Sequence, residues 1–207
     1  MTEYSPPVSL RRSSMDPDPI SQFINWLRQA EQADIPQPNA MTLATSSQQG
    51  KPSARIVLLR GVDERGFVFF TNYESRKAQD LEQNPHAALI FYWQSLSRQV
   101  RVEGRVQQLE ADASDTYFAQ RPRGHQIGAH ASPQSQIIKD RGFLEQQVNT
   151  VTRKFAGQDL PRPLHWGGYR IVPEVLEFWQ EGENRIHDRI RYRRDNDGGW
   201  VMERLAP

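Results

Sequence analysis

The sequence predicts a mainly β protein with flanking helices, of the barrel or sandwich kind. Three observations carry that expectation. Short runs rich in β-branched and aromatic residues recur along the chain with turn residues between them. Two of the later runs bracket Asn196-Asp197-Gly198-Gly199, a strong hairpin signal. Helical periodicity is confined to a few segments, of which about 19–33 is the clearest.

Taken in order, residues 1–17 hold three prolines, four serines and the pair Arg11-Arg12, and read as a flexible N-terminal arm. Asp18 before Pro19 opens a helix, with Ile20, Phe23, Ile24 and Leu27 on one face, and Pro36 and Pro38 end it. Strands at 41–46 and 53–60 flank the turn Gln48-Gln49-Gly50-Lys51. Gly61–Gly66 turns into a strand at 67–71, followed by a helix at 75–83. Strands at 86–93 and 99–109 come next, and Gly104 inside the second marks a bulge or a close approach. Helices are expected at 111–120 and 137–155, and strands at 168–172, 174–180, 188–194 and 199–204. Residues 18–207 form a single domain without internal repeats.

Composition narrows the function. The chain of 207 residues is 37% hydrophobic, yet five Trp, six Tyr and nine Phe supply large burial per residue. A net charge of +1 gives no broad basic field, so no nucleic-acid partner is expected. Cysteine is absent, which excludes disulfides and thiolate chemistry. Histidines 86, 125, 130, 165 and 187 lack metal-site spacing, and no metal is expected. No apolar run reaches the roughly 18 residues that span a bilayer. The start has no basic-then-apolar signal pattern, and the expected location is cytoplasmic, with no membrane partner. Arginine outnumbers lysine 22 to 4, which suits forked recognition of phosphate or carboxylate.

The densest chemistry lies in Glu177–Arg189. Trp179 can cover a flat ligand, Arg185 and Arg189 can fork onto anionic oxygens, and His187 can move a proton near neutral pH. A charged hairpin with a solvated rim describes the same residues. A second rich stretch runs from Arg55-Ile56-Val57-Leu58-Leu59-Arg60 to Gly66–Lys77, where Arg76-Lys77 reads either as an anion clamp or as a charged helix turn.

These two segments, with Arg98-Gln99-Val100, Tyr117, Arg121-Pro122-Arg123, Gln134-Ser135, Trp166-Gly167-Gly168 and the closing Glu203–Pro207, resemble the pyridoxamine 5′-phosphate oxidase family from about Asp16 to the end. The resemblance implies an FMN-binding split β-barrel and a homodimer with shared sites. It implies oxidation of pyridoxamine and pyridoxine 5′-phosphate to pyridoxal 5′-phosphate, with oxygen as acceptor and hydrogen peroxide as product. Arg55, Arg76 and Lys77 would clamp the FMN phosphate, while Ile56, Val57, Leu58, Phe70, Thr71 and Gln99 would meet its ring. Gln134, Ser135, Trp179 and Arg189 would complete the cofactor site from the second subunit. Arg60, Tyr117, Arg121 and His125 would hold the substrate phosphate. Arg185, Ile186 and His187 would lie over the substrate, with Arg185 and His187 as the catalytic pair.

Four features depart from the family pattern. Arg60 replaces a usual lysine, His125 a usual serine, and Gln37 a frequent carboxylate. Of the closing arm only Glu3-Tyr4 remains. Another flavin reductase on the same barrel, or a non-catalytic carrier of FMN or pyridoxal phosphate, are the alternatives.

Overall fold

The computed structural model describes residues 9–207; Glu3-Tyr4 lies outside them. Nine strands and five α-helices follow one another: α1 Pro19–Gln32, β1 Ala40–Ser46, β2 Pro52–Leu58, β3 Gly61–Asp63, β4 Gly66–Asn72, α2 Arg76–Gln83, β5 His86–Trp93, β6 Arg98–Gln108, α3 Ala111–Ala119, α4 Arg123–Ala131, α5 Arg141–Lys154, β7 Trp166–Gln180, β8 Asp188–Arg194 and β9 Trp200–Leu205. Among the described residues no helix is long and apolar enough to cross a membrane, and no group of three or more His, Cys, Asp or Glu could hold a metal.

All pairings are antiparallel, in the order β2-β1-β5-β6-β7-β4-β3, with β8 on β7 and β9 on β8. The two edges of that seven-strand path, β2 and β3, are consecutive in sequence and joined only by Leu59-Arg60. Two residues cannot cross an open sheet, so the sheet must curl until its edges meet. The two linking residues each extend a ladder: Leu59 N donates to the Asn39 carbonyl at 2.9 Å beside β1, and Arg60 N to the Val68 carbonyl at 2.8 Å on β4.

α1 fills one end of the barrel. Asp18 caps it, accepting from Ile20 N at 3.2 Å and Ser21 N at 3.0 Å, with Pro19 in the first turn. Its inward stripe, Ile20, Phe23, Trp26 and Ala30, is buried. Phe23 meets Phe67 and Phe91 at 4.8 Å between ring centres, and Trp26 meets Phe178 edge-on at 5.2 Å.

Several elements differ from the sequence expectation, among them β3, a short strand inside the stretch 61–66 that was expected to be a turn. β7 is one strand, not two, because Pro173 is absorbed by a bulge at Glu174. The register there jumps from Glu103–Val175 to Gly104–Pro173. Gly104 is required at that crossing, since a Cβ would lie 2.0 Å from the Val172 carbonyl oxygen. α4 stands where no element was expected, and α5 starts four residues later than expected. Residues 9–17, expected to be flexible, are docked: Leu10 and Met15 are buried, and Leu10 N donates to Asp188 Oδ2 at 2.8 Å. Arg204 joins in by donating to the Leu10 carbonyl.

Candidate functional site

A cleft of about 710 Å³ lies along the barrel seam, within the ~300–1,000 Å³ range of small-molecule sites. β2 supplies Arg55 to Leu58, β4 supplies Phe70 and Thr71, and α2 supplies Lys77. Because β2 is an edge strand, alternate backbone N–H and C=O groups point away from β1 and are open to a ligand. Tyr117, Arg121, His125 and Gln134 close the other wall.

The electrostatics of the cleft are one-sided. Among the described residues four cations line it (Arg55, Arg60, Lys77 and Arg121), and no carboxylate does. Lys77 is buried, and its Nζ donates to Thr71 Oγ1 at 3.1 Å, Ser75 Oγ at 3.0 Å and Gln134 Oε1 at 2.8 Å. All three acceptors are neutral. Burial, aided by nearby Arg55, pushes its ammonium down to about 8. Arg55 is held by the Leu43 carbonyl at 3.2 Å, Thr45 Oγ1 at 2.8 Å and Ser53. Its only carboxylate neighbour among the described residues is Asp80, at 4.0 Å. Burial lowers the Arg55 guanidinium too; Asp80 opposes the shift and Arg76 adds to it.

Arg121 is the least satisfied group. Its Nη1 is buried with no hydrogen-bond partner among the described residues. Burial lowers its guanidinium, Tyr117 opposes that, and Arg60 reinforces it. An unpaired buried donor is destabilising unless a ligand supplies the acceptor. Beside it stand three nearly parallel rings. Phe70 lies 3.9 Å from Tyr117 and 5.4 Å from Trp166, between ring centres.

Not all expected site residues gather here. Arg76 is exposed and does not line the cleft, and neither does Ser135, which takes φ 71° just beyond Gln134. Gln134, expected from a second chain, contacts Lys77 of its own chain because α4 returns the backbone to the cleft. Gln120, Pro122 and Trp166 line the cleft unanticipated. The Trp166-Gly167-Gly168 motif was the one available signal for the last of these.

The remaining residues form a second group at the far end of β7. Gln99 pairs with Trp179, and Trp179 pairs with Arg189. Arg189 forks onto buried Glu177 at 2.8 and 3.1 Å and also donates to the Ala206 carbonyl at 2.9 Å. The His187 ring lies 4.8 Å from Trp179. Gly182 N–H donates to His187 Nδ1 at 3.2 Å, so in this arrangement the ring carries its proton on Nε2. Arg185 and Ile186 are exposed. Glu183–Arg185 is a 3₁₀ turn, with Asn184 at φ 52° and Arg185 at φ 65°. The segment is therefore not extended, and the two-residue spacing of Arg185 and His187 does not by itself put them on one face. Trp166, at the cleft, and Trp179 stand thirteen residues apart on the same strand, about 40 Å along its path.

Two family models together match most of the chain. A family model described as pyridoxamine 5′-phosphate oxidase matches residues 27–155. A second, described as the pyridoxine 5′-phosphate oxidase C-terminal dimerisation region, matches residues 166–207. A pyridoxine/pyridoxamine 5′-phosphate oxidase of Salinibacter ruber is 56% identical over 202 residues, covering 97% of this chain and 94% of that protein. The crystal structure of PhzG from Burkholderia lata, in complex with tetrahydrophenazine-1-carboxylic acid, has a TM-score of 0.90 at 31% identity, covering 97% of this chain and 98% of that one. A pyridoxamine 5′-phosphate oxidase-related, FMN-binding protein of Nostoc punctiforme has a TM-score of 0.73 at 19% identity, covering 93% and 100%. The split barrel with flanking helices is the fold these structures share with this chain.

Proposed function

This chain belongs to the pyridoxamine 5′-phosphate oxidase family, and from that premise we propose that it oxidises pyridoxamine and pyridoxine 5′-phosphate to pyridoxal 5′-phosphate with FMN as its resident cofactor. The observation that carries this reading is the seam cleft, lined among the described residues by four cations and no carboxylate. Two anionic phosphates, one from the cofactor and one from the substrate, are what such a cleft suits.

The residues fit FMN. Lys77, held only by neutral oxygens, and Arg55 would take its phosphate, with exposed Arg76 beside them. The free edge of β2 at Ile56, Val57 and Leu58 would meet the ring, against Phe70 and Thr71. Gln134 is placed to follow from the same chain, with Ser135 after it. FMN, when bound, supplies the two-electron oxidation of the substrate C4′ carbon, with oxygen as final acceptor and hydrogen peroxide as product.

Arg60, Tyr117, Arg121 and His125 would hold the substrate phosphate, which gives the orphan Arg121 donor its acceptor. We place Gln99, Trp179, Arg185, Ile186, His187 and Arg189 over the cleft of a second subunit in a homodimer. Three things support this: the 40 Å strand path that separates the two groups in one chain, the matched dimerisation region, and two bare apolar side chains. Ile56 is 65% exposed and Ile186 73% exposed, one in each group, and a partner would cover both. His187, with its proton on Nε2, would donate to the substrate ring. Arg185 has no hydrogen-bonded or charged partner among the described residues and would orient the same ring.

The test is anaerobic mixing of the FMN-loaded protein with pyridoxamine 5′-phosphate, followed through flavin absorbance. Bleaching, then recovery with peroxide release on admitting air, is expected. A flavin that stays oxidised would refute the reading. Tetrahydrophenazine-1-carboxylic acid serves as the second substrate, because the PhzG structure holds it. Faster bleaching with this phosphate-free acid would favour phenazine chemistry instead.

A further inference from the structure

The first residue of β7 has no part in the roles assigned so far. Trp166 is 6% exposed and lines the cleft. Its indole is clamped on several sides. Phe70 and Tyr117 stack nearly parallel to it, at 11° and 5°, and Phe118 meets it edge-on at 5.2 Å. Its carbonyl accepts from Arg162 Nη1 at 2.7 Å. Gly167 behind it lets β7 press against Tyr73, whose hydroxyl oxygen would lie 2.1 Å from an added Cβ. The ring is therefore a rigid platform.

The Arg121 guanidinium rests over that platform, 4.4 Å from the ring centre, with the Phe118 ring further off at 5.6 Å. Its guanidinium forms no hydrogen bond or ion pair among the described residues. A long side chain with no polar tether samples many rotamers, and ordering it on binding would weaken affinity. The aromatic face opposes that loss, since a cation over an indole is the strongest pairing of its kind. It holds the fork without consuming a single N–H, and none of the guanidinium donors is spent on a partner among the described residues.

We propose that Trp166 is the positioning residue of the substrate-phosphate site, its indole face presenting Arg121 ready-ordered to the anion. This rests on the reading of Arg121 as a phosphate ligand. The platform also touches Phe70, on the wall assigned to the cofactor ring, so one aromatic stack borders both binding surfaces.

The experiment is a mutant cycle on the FMN-loaded enzyme with Trp166→Leu, Trp166→Phe and Arg121→Ala. The readouts are the inhibition constant of inorganic phosphate, KM and kcat for pyridoxamine 5′-phosphate, and FMN content. Trp166→Leu should raise the phosphate constant and KM about 3- to 30-fold, with kcat and FMN content within a few-fold of wild type. Trp166→Phe, which keeps a smaller face, should fall between the two and serves as the second variant if Trp166→Leu folds poorly. In the Arg121→Ala background, either Trp166 change should add almost nothing. Full additivity there would overturn the positioning role alone. A phosphate constant unchanged by Arg121→Ala would overturn the underlying assignment of Arg121, and the proposal with it.

Discussion

Lys77 donates to Gln134 Oε1 at 2.8 Å, tying the start of α2 to the loop beyond α4 across the seam cleft. Thr71 and Ser75 take its other protons, and no carboxylate among the described residues shares them. A buried ammonium held only by dipoles is costly until an anion arrives.

That arrangement predicts a pH signature. The folded Lys77 titrates at about 8, well below its ordinary 10.5. Below pH 8 both folded and unfolded chains carry the proton, and the folded chain bears the burial cost. Between about 8 and 10.5 the folded chain releases it while the unfolded chain keeps it, so stability of the cofactor-free protein rises with pH by up to roughly 3 kcal/mol. FMN affinity should move the other way, falling above pH 8 as the charge is lost. Lys77→Met should flatten both trends, read by urea midpoints and by flavin fluorescence titration. Parallel profiles in wild type and variant would remove Lys77 from the clamp.

Thr45 supports the second clamp residue. It donates to Asp80 Oδ2 at 2.7 Å and accepts from Arg55 Nη1 at 2.8 Å. Thr45→Val keeps the shape but leaves two buried polar groups short of a partner. FMN should bind about tenfold more weakly, and Thr45→Ser should restore most of the loss. Equal affinities for the valine and serine variants would show that the hydroxyl is not what matters.

A shared site can be detected by mixing. Arg55→Ala and Arg189→Ala should each be nearly inactive. If each site draws Arg55 from one chain and Arg189 from the other, a heterodimer of the two variants contains one intact site. Random re-pairing should then restore about a quarter of wild-type activity. Activity that stays at the level of the separate variants after confirmed subunit exchange would place both residues in the same chain's site.

Arg185 occupies a backbone conformation that favours glycine, at φ 65°. Arg185→Ala and Arg185→Gly should lose turnover to a similar extent, by about a hundredfold or more, with FMN content unchanged. Arg185→Gly should nonetheless melt no lower than Arg185→Ala, because glycine relieves the strain. A glycine variant that melts clearly lower than the alanine variant would show that position 185 carries no backbone strain for glycine to relieve.

Half-buried strands were easy to read in the sequence. β5 and β8 fall where alternation put them, since a period of two has no helical reading. α4 was illegible because Gly124 and Gly128 weaken its helix propensity and only Ile127 and Ala131 give it an apolar face. Pro173 looked like a strand end because a proline cannot donate to a ladder; the compensating bulge at Glu174 depends on a partner strand the sequence does not reveal. Arg55 and Lys77, the proposed phosphate clamp on β2 and α2, stood out as motif residues, whereas nothing in the motif told that Arg76 would stay outside the cleft. The Arg121–Trp166 pairing was not, since it joins residues 45 apart through packing alone.

β7 has a consequence for how such a protein can change over time. In the proposed dimer each copy of the strand starts in one site and finishes in the other, so it acts as a ruler spanning both. Removing two residues would preserve the inside–outside alternation, and with it the core. It would also draw Trp179 and Arg189 toward Trp166 by about 7 Å, and it would do so in both sites at once. The one place where the strand already departs from regular spacing is Glu174, opposite Gly104. Length changes are expected to be tolerated there or nowhere along the strand, and drift in one site is never free of the other.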